Sequence, residues 1–252
     1  MNQDRRERIV QIVNEKSTIS NDEIMSTFGV SIETVRRDLA YLEKRGLVER
    51  VYGGAVKKKF LSVEPKYLRR EDVNVAEKEV IATKAETLIN ENDTVFFDLG
   101  TTVQLLAKKV NQSKQITAFT NSLRTAIALV DKDQKVIVPG GALRSGEYSV
   151  SGSIAEDCMS AFNVDKAFIG AGGITEEGIT DFDIEEARLR SKVIKNSQKA
   201  IVLADYSKIG VRATCNVCGL EHVDVLITDD KAPTEILKNF EKMGVEVIIA
   251  KA

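Results

Sequence analysis

Seven short apolar runs, TVFFDL, QITAFT, KVIVPG, KAFIGA, AIVLAD, VDVLITD and VEVIIA, punctuate the chain beyond its first ninety residues, with helical patterns between most of them. Runs that are apolar nearly throughout, rather than alternating, suit strands buried on both faces. Strands interleaved with helices predict an α/β fold: a mostly parallel sheet under covering helices. With 252 residues and 43% hydrophobic content, the chain has material for that domain and a smaller one.

The smaller unit is expected at the front. The formal net charge of -2 hides an asymmetry: residues 1–70 carry 15 Lys+Arg against 10 Asp+Glu, whereas the remainder carries 21 against 28. A basic front segment suits a nucleic-acid reader, although a solvated basic arm has the same balance. Spacing is more specific. Ile9, Val10, Ile12 and Val13 form an apolar stripe at helical intervals. Ser20 and Glu23 have capping-box spacing before a second helix, NDEIMSTF, and Gly29 permits a turn. Ser31 caps a third helix with Ile32, Val35, Leu39 and Leu42 on one face, and Gly46 suits its end.

A short helix, a glycine turn and a second helix that exposes hydroxyls and arginines is the arrangement that enters a DNA major groove. Arg36 and Arg37 can fork onto guanine edges or phosphates, with Thr34 and Ser31 beside them. The segment LVERVYGGAVKKK predicts two strands around Gly53-Gly54, a wing whose Arg50, Lys57, Lys58 and Lys59 meet phosphates. Three amphipathic helices with a solvated Arg-Arg pair also occur in domains that bind no DNA.

The stretch RRERIVQIV followed by VSIETVRRDLAYLEKRGLVERVYGGA resembles the DNA-binding signature of the DeoR-type bacterial repressors, matching most of residues 5–56. The resemblance implies a winged helix-turn-helix in which Ser31, Thr34, Arg36, Arg37, Arg50 and Gly53 occupy reading positions.

In parallel sheets ligands gather beyond the carboxyl ends of the strands, and this chain places small and polar residues there repeatedly. Gly100 with Thr101 and Thr102 can hold a phosphate against a helix start. Thr120-Asn121-Ser122, Gly140-Gly141 with Arg144, Gly170-Ala171-Gly172-Gly173, and Asp205 with Lys208 follow further strands. The landmarks DLGTT, TNS, PGG, GAGGI, DIEEARLR and ADYSK resemble, in family order, the DeoR-type sensor domain, a Rossmann-like α/β unit similar in fold to sugar-phosphate isomerases and coenzyme A transferases. That resemblance implies a phosphorylated sugar as effector. It makes Asp98, Gly100, Thr101, Thr102, Thr120, Asn121, Arg144 and Lys208 pocket positions. Asp183 and Glu186 are either sugar-hydroxyl contacts or acids at a solvated helix N-terminus, where the dipole favours them.

The expected organisation is a reader over residues 1–57, a linker over 58–75 and an effector domain over 76–252. A sugar-phosphate isomerase carrying a DNA reader is the rival function. GAGG lacks the last glycine of a dinucleotide fingerprint, and a single histidine, His222, leaves no matched nucleophile and base. Cys215, Cys218 and His222 lack an evident fourth zinc ligand, so reduced thiols are expected, with no metal and no cofactor. The sequence shows no apolar run of membrane-spanning length and no signal-peptide pattern, so a cytoplasmic location with no membrane partner is expected. One winged helix grips too little DNA, so the expected partners are operator DNA, the sugar phosphate and further copies, as a homodimer or homotetramer.

Overall fold

Ile9, Ile12 and Val13 on the helix Asn2–Lys16 pack against Ile24, Val35, Leu39 and Leu42 from the next two helices, Asn21–Phe28 and Ile32–Lys44. The computed structural model describes residues 2–44, 47–57 and 60–251 and divides the chain into two units, 1–63 and 64–252. Gly46, Lys58 and Lys59 lie outside the described residues.

The turn chemistry acts as the sequence suggests. Ser20 Oγ accepts from the Glu23 N–H at 3.0 Å, and Gly29 ends that helix at φ 61°, its N–H on the Met25 carbonyl at 2.9 Å. The Glu23 carboxylate pairs with Lys16 instead of completing a capping box. Strands Glu49–Val51 and Gly54–Val56 form the wing, antiparallel, and a third strand, Thr18–Ser20, joins Gly54–Val56 from the other side. That third strand was not anticipated; three residues are too few to show periodicity. It requires glycine at position 54, where a Cβ would overlap the Ile19 carbonyl oxygen.

In the larger unit seven strands pair in parallel in the order Glu246–Ala250, Val225–Asp229, Ser197–Leu203, Val164–Gly170, Thr94–Phe97, Thr117–Thr120, Lys135–Ile137. The α/β class and each expected run are realised. The runs are apolar nearly throughout because both faces are covered. Phe96, Ile169, Val202 and Leu226 face one core, whereas Phe97, Phe168, Ile201 and Ile227 face the other. Burying each such side chain contributes roughly 1.5–3 kcal/mol against the entropy of ordering the chain.

The strand order reverses between Thr94–Phe97 and Val164–Gly170. The carboxyl ends of those neighbours therefore flank the crevice where this architecture binds ligands. Two small antiparallel elements stand outside the main sheet: the hairpin Ala142–Arg144 with Ser149–Ser151, and a three-stranded sheet of Gly173–Thr175, Gly178–Asp181 and Cys215–Cys218. The stretch expected as a connector contains a short helix, Tyr67–Glu71, with Tyr67 buried in the larger unit.

Candidate functional site

In the smaller unit the helix Ile32–Lys44 presents Arg36 and Arg37 to solvent, and neither has a hydrogen-bond or ion-pair partner among the described residues. Ser31 is exposed, and its hydroxyl accepts from the Thr34 N–H at 3.4 Å and lies 3.3 Å from the Thr34 hydroxyl. Arg50 is exposed on the wing, 3.6 Å from the Glu43 carboxylate. Gly53 turns the wing, and Lys57 is half-buried beyond its second strand. Asn21, Arg36, Leu39, Arg50, Tyr52 and Gly53 line a shallow cleft of about 420 Å³ between the helix and the wing. Two unpaired guanidinium groups on an amphipathic helix suit bidentate bonding to phosphates or guanine edges.

The sequence reading missed what fixes this helix. Asp38 is 1% exposed and accepts from Arg5 Nε at 2.7 Å and Arg6 Nε at 2.6 Å, with Arg6 stacked 3.8 Å over the Tyr41 ring. A signal was present: Asp38 interrupts the apolar stripe of Val35, Leu39 and Leu42, and an acid there needs a partner. Tyr52 stands fully exposed at the wing tip, where no sequence pattern marks it.

At the switch point of the sheet, Asp98 follows one central strand and accepts from the Gly170 N–H of the other at 2.9 Å. Its oxygens also accept from Arg190 Nε at 2.6 Å and Nη2 at 3.3 Å, and Arg190 Nη1 reaches Asp181. All three charged residues are buried. Burial opposes the charge on Arg190, but Asp181 and Asp98 outweigh it and raise its pKa. Asp98, expected to face a ligand, is thus committed to the framework. Arg190 likewise breaks an apolar helix face, between Ala187, Val193 and Ile194.

Arg144 is tied as well. Its Nη2 donates to Glu64 at 2.6 Å and its Nη1 to Glu186 at 2.8 Å, with Nε 3.8 Å from Asp183. Asp183 caps the helix Ile184–Lys195 through the Glu185 and Glu186 N–H groups at 3.0 and 3.1 Å. Glu186 is no solvated acid: it is 1% exposed, and burial pushes its carboxyl up to about 7 against the Ser149 hydroxyl, Arg144 and Arg190.

Thr120 and Asn121 are buried at a strand end, and the Asn121 carbonyl accepts from the Val150 N–H at 2.7 Å, which sets them beside the hairpin bearing Arg144. The Asn121 side-chain oxygen is buried with no partner among the described residues. Thr101 and Thr102 are buried in the first turn after Gly100. Gly140 and Gly141 lead into the hairpin, whereas Gly172 is drawn into the small sheet, its N–H on the Thr180 carbonyl at 3.0 Å. Lys208 is half-buried after another strand, without a carboxylate partner among the described residues. No contact joins it to Arg144. Its electrostatic neighbour is the buried Lys78, whose ammonium is brought down to about 8 by burial and by repulsion from Lys208 and Arg70, against the pull of Asp205. The carboxyl edge is mixed in charge: acids crowd Arg144, while Lys208 and Lys78 stand near the buried Asp205.

Cys158, Cys215 and Cys218 are free thiols, and no cluster of metal-ligating side chains occurs among the described residues. Among those residues no helix is long and apolar enough to cross a membrane.

A winged helix-turn-helix with exposed arginines that find no partner among the described residues, followed by a parallel α/β unit whose strand order reverses at a switch point, defines a DNA-binding transcriptional regulator with a sensor domain. The chain belongs to the DeoR family: residues 5–59 match the DeoR-like helix-turn-helix domain and residues 73–230 the DeoR C terminal sensor domain. It is 34% identical over 254 residues to the HTH-type transcriptional regulator GolR of Listeria innocua, covering 98% of each chain. It is 32% identical over 232 residues to the glycerol-3-phosphate regulon repressor of Escherichia coli, covering 91% of this chain and 92% of that protein. Both are named as regulators, not enzymes, which sets aside the isomerase reading. Among solved structures, a ribose 5-phosphate isomerase A from Methanocaldococcus jannaschii overlays 54% of this chain and 55% of its own at a TM-score of 0.40 and 16% identity.

Proposed function

We propose that this regulator is a cytoplasmic repressor of carbohydrate-metabolism genes, acting as a homodimer or homotetramer and released from its operator by a phosphorylated sugar. The observation that carries the reading is a pair of exposed arginines with no partner among the described residues on the helix Ile32–Lys44, in the same chain as a parallel α/β unit with polar strand ends. Arg36, Arg37, Thr34 and Ser31 address the major groove, while Arg50, Gly53 and Lys57 approach the flanking backbone. In the crevice, Thr101, Thr102 and Lys208 receive the phosphoryl group, and Asn121, Asp183 and Glu186 face the sugar hydroxyls. Asp98 supports these strand ends through Arg190 and the Gly170 N–H. The glycerol-3-phosphate regulon repressor among the relatives supports a small phosphorylated effector. Release follows if the sugar binds more tightly to the conformation that misplaces paired readers.

The test is a thermal-shift screen of the full chain against a panel of phosphorylated sugars and their unphosphorylated parents. A ligand at about 100 times its Kd adds about 2.7 kcal/mol, a shift of several degrees for a domain of this size. One phosphorylated compound is expected to stabilise the protein where its parent does not. A panel that leaves the melting unchanged at saturating concentration contradicts the effector assignment.

A further inference from the structure

The chain enters the larger unit at Glu64, and that carboxylate is used twice. One oxygen accepts from Arg144 at 2.6 Å and the other lies 3.2 Å from Arg70. Arg70 also holds Glu147, in the hairpin that carries Arg144. Each guanidinium nitrogen of Arg144 therefore faces a carboxylate, and an incoming anion competes with all three for its charge. The three differ in how firmly they are held. Glu186 is buried on a helix and takes the Ser149 hydroxyl besides Arg144. Asp183 is fixed by two backbone N–H groups as a helix cap. Glu64 stands outside every strand of the parallel sheet and is held by side-chain ion pairs with Arg144 and Arg70.

Charge decides the same way. Arg70 and Arg144 face Glu64, Glu147, Asp183 and Glu186, so acids already exceed bases in this partly buried cluster. Adding a phosphate without losing a carboxylate places more like charge in a medium that screens poorly.

We propose that Glu64 is a built-in competitor for the effector: an anionic group that takes Arg144 ejects Glu64, frees the segment 64–71, and carries occupancy of the crevice to the point where the chain passes to the reader. This rests on the proposed effector reading, and within it on Arg144 being a pocket position, as the resemblance to the DeoR-type sensor domain implies.

The experiment compares the full chain with its Glu64→Gln variant, using inorganic phosphate as the probe against chloride at equal ionic strength. Two readouts are taken: the concentration of phosphate that half-saturates the thermal shift, and hydrogen–deuterium exchange across residues 64–71. In the wild type, phosphate is expected to raise exchange in 64–71 while it stabilises the protein. In Glu64→Gln, exchange there starts raised, phosphate adds little, and half-saturation comes at a severalfold lower concentration. A residue that merely supports the fold would weaken phosphate binding or leave it unchanged. The proposal is overturned if Glu64→Gln binds phosphate no more tightly than wild type, or if wild-type exchange in 64–71 ignores phosphate; if the variant does not fold, the wild-type exchange decides alone. A sugar phosphate that stabilises the chain while phosphate leaves 64–71 unmoved sinks the competition and spares the effector reading. The converse result, phosphate opening 64–71 with no response to any sugar phosphate, sinks the effector reading instead.

Discussion

Arg190 reaches from the helix Ile184–Lys195 to Asp98 at the switch point of the parallel sheet, with its Nε 2.6 Å from the carboxylate, and holds Asp181 with another nitrogen. One buried cation thus joins the helix, a central strand and the small antiparallel sheet. Removing one member of such a set strands the others without partners in a region water does not reach.

Arg190→Leu is therefore expected to lower the unfolding free energy by about 3–5 kcal/mol in denaturant melts of the full chain. The loss should grow as pH rises above the carboxylate range, because Asp98 and Asp181 must then be buried charged or stay protonated at a cost. A loss below about 1 kcal/mol, constant with pH, would show that the three groups are independently solvated.

Asp38 performs the corresponding task in the reader. Asp38→Ala removes the acceptor that Arg5 and Arg6 share and loosens the helix Ile32–Lys44 against the first helix, at a cost of about 1–3 kcal/mol. Hydrogen exchange should rise across residues 2–44 while the sheet of the larger unit stays protected. Unchanged exchange in the reader would mean that the apolar core alone orients the helix.

Glu186 gives the larger unit a pH dependence of definite sign. Its carboxyl sits at about 7, above the ordinary 4.5, so the native state holds this proton more firmly than the unfolded chain. Its contribution is full below the ordinary value and is lost as pH rises through about 7. Glu186→Gln should consequently gain melting temperature relative to wild type between about pH 5 and about pH 8. Parallel melting curves across that range would contradict the raised carboxyl. The groups facing Glu186 are Arg144, Ser149, Arg190 and Asp181, so a parallel Ser149→Ala series separates the hydroxyl from the ion pairs.

The strands were legible because burial on both faces leaves a local trace: Val95, Phe96 and Phe97 are consecutive and apolar since each finds a core on its own side. The helix-turn-helix was legible for a similar reason, through Ser20, Gly29 and the stripe of Val35, Leu39 and Leu42. Pairings between distant charges leave no such trace. Arg190 lies 92 residues from Asp98, and Arg144 lies 80 from Glu64 and 42 from Glu186. From sequence, Asp98 and Arg144 therefore read as free pocket groups, and Arg190 as one more charge on a helix. The one local hint was a charged residue standing in an apolar helix stripe, true of both Asp38 and Arg190.

The central claim, a reader helix released from DNA by an effector, is tested most directly by fluorescence anisotropy of the full chain on a duplex recovered by in vitro selection. The expected result is salt-sensitive binding that Arg37→Ala weakens by about 1–3 kcal/mol, with effector binding intact, and that the stabilising sugar phosphate reverses in wild type. Undiminished affinity in an Arg36→Ala, Arg37→Ala double variant, or binding that no phosphorylated sugar relieves, would contradict it.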